Sequence, residues 1–588
     1  MSPQLVTYPT WKEMFGERPK EAELIEQLRP LDRLHSIWLL ARINLLLALD
    51  RFHSSERWTA QLQTYLVNLL INEELFQELK RRFGQERLEH RQPFHSVQIL
   101  TLMKMIAREG AKSGGLRPDL DKQAANLLGR CLIMANDFLF TPENMRAIKR
   151  DRPSVKKKRI ALQLQVGSGL EVNNPPTINT SIVRSEMIFG EILKKTACSL
   201  DIRGVFQQRS GMALEEYIDH VFALLTYYIT LDITKLIEDS GLACVNMNSF
   251  FAEGSKDLVG KFWAMESTTL DDFQASLREP SELKPYHDFI PLRRKPLLEV
   301  ESDNTIPVHL GFVQEKLESG LFWAIFNSLK TTEEKWSLFT DWGHLFERYI
   351  SEVFAQCLEG SQETYFPFPK FLDNGEEAFD GVVAAGNYWV VMEYKGGFLN
   401  ARAKYAEDEK EFVCDVERKF GGDKGAGIEQ LTRKIGAVFA ANAKQRRSLV
   451  GLDSADVRVV VPVLIVQESY ISSEVTAPYL VDLFGALKRK QQLDPRVYYS
   501  FPLVLDVSEI EALKPYVSKK KVSFVDCIME RVRMGASGFL SFRDFFPDYL
   551  QKRGIERIAD DETIARFRAI MNRISLRFFK KPFEPVQE

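Results

Sequence analysis

FDGVVAAGNYWVVMEYKGG, residues 379–397, decides how this chain is read. Two apolar runs flank Gly386 and Asn387, residue types that tolerate a positive φ, so the stretch predicts a β-hairpin with a two-residue loop. Ala385 then pairs with Tyr388, and counting outward sets 384 against 389, 382 against 391 and 380 against 393. Directly opposed residues project from one face of a sheet, and the period of two adds Lys395 beside Glu393. The hairpin therefore predicts one cluster of Asp380, Glu393 and Lys395.

Such a cluster needs compensation, because like charges across a ladder are destabilising. Two carboxylates about 5 Å apart repel by roughly 3 kcal/mol at an effective dielectric of about 20. A divalent metal offsets this: Mg²⁺ takes one or two carboxylates, keeps several waters and leaves room for phosphate oxygens. Lys395 would then stand near a metal-bound water, where it orients the nucleophile or balances charge on a phosphate. The plainer expectation from the hairpin alone is an ion pair of Lys395 with Glu393 or Asp380 on a solvated sheet face.

An aspartate, a gap, then Glu-x-Lys at the end of an apolar strand resembles the catalytic signature of the PD-(D/E)XK nuclease superfamily. In that family a helix precedes a three-stranded antiparallel meander, and a further helix leads to a strand on the other side. The parts occur here in that order. DWGHLFERYISEVFAQCLEG, Asp341 to Gly360, predicts a helix with Leu345, Phe346, Ile350, Val353 and Phe354 at helical spacing. Its Gly343, Phe346 and Glu347 resemble the G-x-x-F-E pattern of the family's first core helix, whose acidic residue points into the site; a surface glutamate is the alternative. After the hairpin, FGGDKGAGIEQLTRKIGAVFAANA supplies a glycine-rich loop and a helix with Gln430 and Lys434 on one face. Resemblance to RecB-like branches gives Gln430 a phosphate-positioning role. Lys434 is a candidate nucleic-acid contact, or ordinary decoration of a polar helix face. VRVVVPVLIVQES, residues 457–469, reads as a strand buried on both faces.

The resemblance runs from near residue 340 to near residue 470, with Phe379 where the family name would put proline. It implies Mg²⁺ or Mn²⁺ held by Asp380 and Glu393, with the Tyr394 carbonyl as a further ligand. Lys395 would assist the attacking water, and Glu347 and Gln430 would complete the catalytic set. The expected fold is α/β, a restriction-endonuclease-like core with a mixed sheet, flanked by mostly α-helical domains. The divisions are a helical region 1–290 with a subdomain break near 141–160, a nuclease domain 291–515 and a C-terminal helical segment 516–588.

Composition bounds this reading. The chain has 588 residues, 45% hydrophobic and 27% charged, with a net charge of −3, so nucleic-acid affinity must come from local patches rather than bulk charge. Six scattered cysteines without a C-x-x-C pair point to a reducing compartment and away from structural zinc. No basic-then-apolar leader opens the sequence, and VFALLTYYITL at 221–231 falls short of a membrane span, so the expectation is a cytoplasmic protein without membrane contact. The glycines at 421–427 run into Ile-Glu instead of Lys-Ser/Thr, so there is no phosphate-binding loop of an ATPase. They are expected instead to form a mobile loop whose amides approach phosphate at the following helix. Any ATP-driven or sensing function would belong to a separate subunit, and self-association stays open.

Two further segments carry expectations. DETIARFRAIMNRISLRFF, from Asp561, places Ile564, Phe567, Ile570, Met571, Ile574 and Phe578 in one stripe, expected to dock on the body, with Arg566, Arg568, Arg573 and Arg577 largely elsewhere. Between Arg146 and Arg159, eight basic residues face one acid, Asp151, and Lys156, Lys157, Lys158 and Arg159 form the densest run. That run either contacts a phosphate backbone or is a solvated loop. Together these readings point to a Mg²⁺-dependent endonuclease acting on DNA, with restriction or antiphage defence as its setting. An RNase, or a non-catalytic DNA-binding scaffold that keeps a nuclease fold, is the alternative. Alanine at Lys156, Lys157, Lys158 and Arg159 should weaken DNA binding and flatten its dependence on log salt by up to about 0.9 per lost phosphate contact. Unchanged affinity and slope in a filter-binding titration would identify a solvated loop.

Overall fold

The computed structural model describes residues 9–53, 56–83, 93–112, 121–139, 177–251, 254–279, 283, 286, 288–301, 303–406, 408–422, 426–473, 476–535, 541–580 and 582–583. It is a mixed α/β structure, with helices flanking two mixed sheets. Four short strands, β1 (Val245–Asn246), β2 (Ser267–Thr268), β3 (Leu297–Glu299) and β4 (Asn304–Pro307), make a sheet in the order β1-β4-β3-β2. β3 and β4 pair as antiparallel neighbours just after residue 290, and this sheet takes strands from both sides of that residue. The second sheet is built from β5 (Thr364–Pro367), β6 (Gly381–Ala385), β7 (Tyr388–Lys395), β8 (Val459–Val466), β9 (Tyr498–Tyr499) and β10 (Leu503–Asp506). Its order is β10-β8-β7-β6-β5, with β9 also on β8.

The hairpin forms in the expected register, from Ala385 opposite Tyr388 to Gly381 opposite Met392. Gly386 takes φ +57°, the left-handed conformation that a tight loop needs at its first central residue. β5, β6 and β7 are an antiparallel meander, and β8 joins β7 in parallel after a helical excursion. Alternation along β7 sends Val390, Met392 and Tyr394 into one core, and Trp389 and Val391 into the other. β8 is buried on both faces as its composition requires, with Val461, Val463 and Ile465 on one side and Val460, Leu464 and Val466 on the other. Pro462 lies in its middle, where a missing N–H would break a ladder. It falls opposite the gap between β9, which pairs at 459–460, and β10, which pairs at 463–466.

The Thr332–Cys357 helix starts on a capping box, Thr331 with Glu334, and lays Leu345, Phe346, Ile350, Val353 and Phe354 on the first core. Gly396 lets it close on the end of β7, since a Cβ there would stand 2.8 Å from Phe346 Cβ. The Gly427–Val438 helix covers the other face through Ile428, Leu431 and Ile435. Phe567, Ile570, Met571, Ile574 and Phe578 of the Asp561–Phe579 helix are buried as the stripe predicts, with Ile564 half-buried. Three of its four arginines are turned to the protein's own acids: Arg566 to Glu191, Arg573 to Glu186 and Asp219, and Arg577 to Glu216 and Asp219.

One hydrophobic core runs from Met14 to Phe578. Inside it Arg184, 1% exposed, grips Glu511 through Nε at 2.8 Å and Nη2 at 2.7 Å, and Glu318 through Nη1 at 2.9 Å. Tyr349 donates to Glu511 at 2.6 Å, so this knot ties the Ile178–Ser185 helix, the Thr332–Cys357 helix and the Val507–Ser518 helix. Asp341 adds a second tie, accepting hydrogen bonds from Ser199 and Leu200. Among the described residues no helix is long and apolar enough to cross a membrane, and the six cysteines form no disulfide. Breaking a buried pair from one side strands the other charge, so Arg184→Met should cost about 3–5 kcal/mol in urea unfolding. Arg573→Ala, whose side chain is half-exposed, should cost no more than about 1 kcal/mol.

Candidate active site

The expected cluster assembles at the end of β7. Glu393, 0% exposed, and Lys395 both project from the face that the Gly427–Val438 helix covers, and Lys395 Nζ meets Glu393 Oε1 at 2.6 Å. The strand end is fixed by its neighbour, because the Gln467 amide donates to the Lys395 carbonyl and Trp342 Nε1 donates to Gln467 Oε1 at 2.9 Å. Asp380, 3% exposed, joins differently from the simple register. The ladder ends at Gly381 opposite Met392, and the Asp380 amide donates to the Met392 carbonyl instead of squaring up to Glu393. Its carboxylate turns across to β7 and accepts the Tyr394 N–H at 2.6 Å. The expected pairing of 380 with 393 is therefore replaced by a carboxylate-to-backbone bond that brings Asp380 to the same strand end.

Glu347 comes from the helix on the opposite side and is half-buried. It lies within electrostatic reach of Asp380, Lys395 and Glu393. Tyr394 places its ring on the far face, its hydroxyl 3.2 Å from that of Tyr365, leaving only its main chain at the cluster. Lys434 reaches Glu393 Oε2 at 3.6 Å and is buried, so it belongs to the cluster itself rather than to an outer nucleic-acid surface. Gln430, one turn earlier on that helix, is half-buried and, among the described residues, makes no hydrogen bond to these carboxylates. Lys156, Lys157, Lys158 and Arg159 lie outside the described residues, as do positions 423–425 of the glycine-rich loop.

One participant was not foreseen. Glu377, half-buried in the irregular stretch before β6, pairs there with Lys370 in an isolated bridge and raises the pKa of both Asp380 and Glu347. Its only advance signal is the acidic Glu376-Glu377 doublet just ahead of Asp380.

The electrostatics follow from burial and crowding. Burial, then the Asp380 charge, pushes the Glu347 carboxyl up to about 8, against the pull of Lys395. Burial raises Asp380 to about 6, opposed by Lys395, Lys434 and the Tyr394 amide and helped by Glu377. Burial also raises Glu393, again opposed by Lys395. Burial would lower Lys395, but attraction to Glu393 and Asp380 outweighs it and holds the ammonium charged. Four carboxyls, Glu347, Glu377, Asp380 and Glu393, stand against two ammoniums, Lys395 and Lys434. Fully ionised, the cluster carries two negative charges in excess, which either protons or a divalent cation must offset.

The donor set fits a hard cation. Glu393 Oε2 is buried and, among the described residues, without a hydrogen-bond partner. The described residues contain no closed array of three or more His, Cys, Asp or Glu side chains disposed as ligands. An ion such as Mg²⁺ needs only one or two carboxylates and keeps several waters, which Asp380 and Glu393 satisfy. Comparison with protein-family models, with curated proteins and with solved structures finds no match for this chain.

The raised carboxyls set a direction for pH. Each binds its proton more tightly folded than unfolded, so its stabilisation is complete below the ordinary carboxyl range and is lost as pH rises through about 6 for Asp380 and about 8 for Glu347. In EDTA the melting temperature should fall from pH 6 to pH 8.5, and Glu347→Gln should flatten the upper part of that fall. Differential scanning fluorimetry across the range checks both.

Proposed function

We propose that this chain is a metal-dependent phosphodiesterase that hydrolyses DNA, built on a core of the PD-(D/E)XK kind between residues 340 and 470. The observation that carries the reading is the convergence of Asp380, Glu393 and Lys395 at one strand end, with Glu347 brought in from the opposite helix. The element order supports it: a helix, a three-stranded antiparallel meander, a helix and a parallel strand on the far side of β7.

Asp380 and Glu393 would hold Mg²⁺ or Mn²⁺, with the Tyr394 carbonyl and Glu347 beside them. The ion, when bound, polarises the phosphate, supplies hydroxide near neutral pH and stabilises the leaving oxygen. Lys395 holds a fixed positive charge beside Glu393, where it orients the attacking water and balances a phosphate oxygen. Lys434 offsets Glu393 from the other side and favours its ionised form against the burial that raises its pKa. Asp380 is oriented by the Tyr394 amide, so its direction is set by the backbone of the strand that carries the other two groups. The Gly427–Val438 helix places Gln430 one turn from Lys434, where it supports phosphate positioning. Defence against invading DNA, with a separate ATPase or sensor subunit, is the setting we infer.

Purified protein should cut plasmid and linear DNA with Mg²⁺ or Mn²⁺ and not with EDTA. Asp380→Ala and Lys395→Ala should each lower the rate by about 10²-fold or more. Variants that cut as well as the parent would defeat the assignment. Cleavage of RNA but not DNA would change the substrate while keeping the site. Inactivity with no Mg²⁺- or Mn²⁺-dependent rise in melting temperature would favour a scaffold.

A further inference from the structure

We propose that a single nucleic-acid strand reaches the site along the exposed face of the Thr332–Cys357 helix, with an unpaired base stacked on Trp336. The inference rests on the phosphodiesterase reading and adds the form of its substrate. Trp336 is 64% exposed, a large aromatic side chain turned to water on an otherwise well-packed helix. It precedes Glu347 by eleven residues on that helix. At about 100° per residue these two positions lie within about 20° of one another, separated by about 16 Å of helical rise. Thr340, His344 and Arg348 are exposed along the same side, whereas Leu338, Asp341, Trp342, Leu345, Phe346 and Tyr349 are buried on the other. Beside Glu347 the surface is open, since a Cβ added at Gly343 would meet nothing within 4 Å. Lys395, 21% exposed, lies within electrostatic reach of Glu347 at the inner end of this path.

The chemistry of the stripe selects its occupant. Trp336 continues into a patch of half-buried rings, with Phe339 at 6.1 Å, Phe326 at 5.4 Å from Phe339 and Trp323 at 5.3 Å from Phe326. Cations accompany it: Lys335 lies 5.2 Å over the Phe326 ring and Arg348 is exposed beside Glu347, while the exposed His344 ring stands between Trp336 and the site. Glu334 is turned back onto the amides of Lys330 and Thr331, which leaves Glu333 as the acid of this turn that faces solvent. Aromatic faces interleaved with cations suit a strand that presents both bases and phosphates. A duplex hides its base faces within the stack, so a stacking platform favours unpaired bases. At about 3.4 Å per stacked base, the path from Trp336 to Glu347 accommodates roughly five nucleotides.

The test measures binding without cleavage. Fluorescence anisotropy of a labelled oligothymidylate and of a blunt duplex of equal length, titrated with full-length protein in EDTA, compares the parent with Trp336→Ala and Trp336→Phe. Trp336→Ala should weaken single-strand binding about tenfold with an unchanged salt slope, Trp336→Phe should restore most of it, and duplex binding should not move. Equal single-strand affinity in Trp336→Ala overturns the proposal, as does an equal loss on duplex. A parent oligomer that Trp336→Ala dissociates, seen by light scattering, also overturns it by identifying the patch as a protein interface. Because no cutting is measured, failure of the phosphodiesterase reading appears separately, as Asp380→Ala protein that cleaves like the parent.

Discussion

A carboxylate with no access to water must find its compensation inside the protein, and Glu393 imposes that demand on everything around it. Desolvating a charge costs several kcal/mol, which only close opposite charge or a proton offsets. Lys395 answers from the same strand and Lys434 from the covering helix. The position is possible because β7 is an interior strand, paired to β6 on one side and to β8 on the other, with a helix over each face. An edge strand would have left the carboxylate wet and its pKa ordinary. The chemistry of the site is therefore a product of where the sheet puts one residue.

The same constraint explains why acids accumulate here. Asp380 turns one oxygen to the Tyr394 amide, and Glu347 holds its proton more tightly for lying near Asp380. At such a site the binding of a divalent cation and the release of protons would be linked equilibria.

Much of this was legible in the sequence wherever a period governs the chain. The hairpin register, the doubly buried β8, the Thr332–Cys357 helix and the docked stripe of the Asp561–Phe579 helix all follow from alternation or helical spacing. Legibility stops where periodicity stops. Asp380 sits one residue beyond the last ladder pair, so backbone bonding rather than the two-residue repeat decides its direction. Glu377 lies in an irregular turn held by an isolated bridge, and no pattern leads to it. β1 and β2 are two residues each, too short for alternation to exist, and Lys434 reads as a nucleic-acid contact or plain helix decoration because Glu393, its partner, is distant in sequence.

Arg184 gives the assembly its final property. The guanidinium, the Glu511 carboxylate and the Tyr349 hydroxyl come from three separate stretches of chain, and Tyr349 stands two residues from Glu347. A carboxylate so deeply placed does not tolerate the loss of its guanidinium, so the helix that delivers Glu347 cannot slide or tilt on its own. The amino-terminal and carboxy-terminal regions thus hold the Glu347 helix between them, and anything that loosens either one is transmitted to the carboxylate cluster.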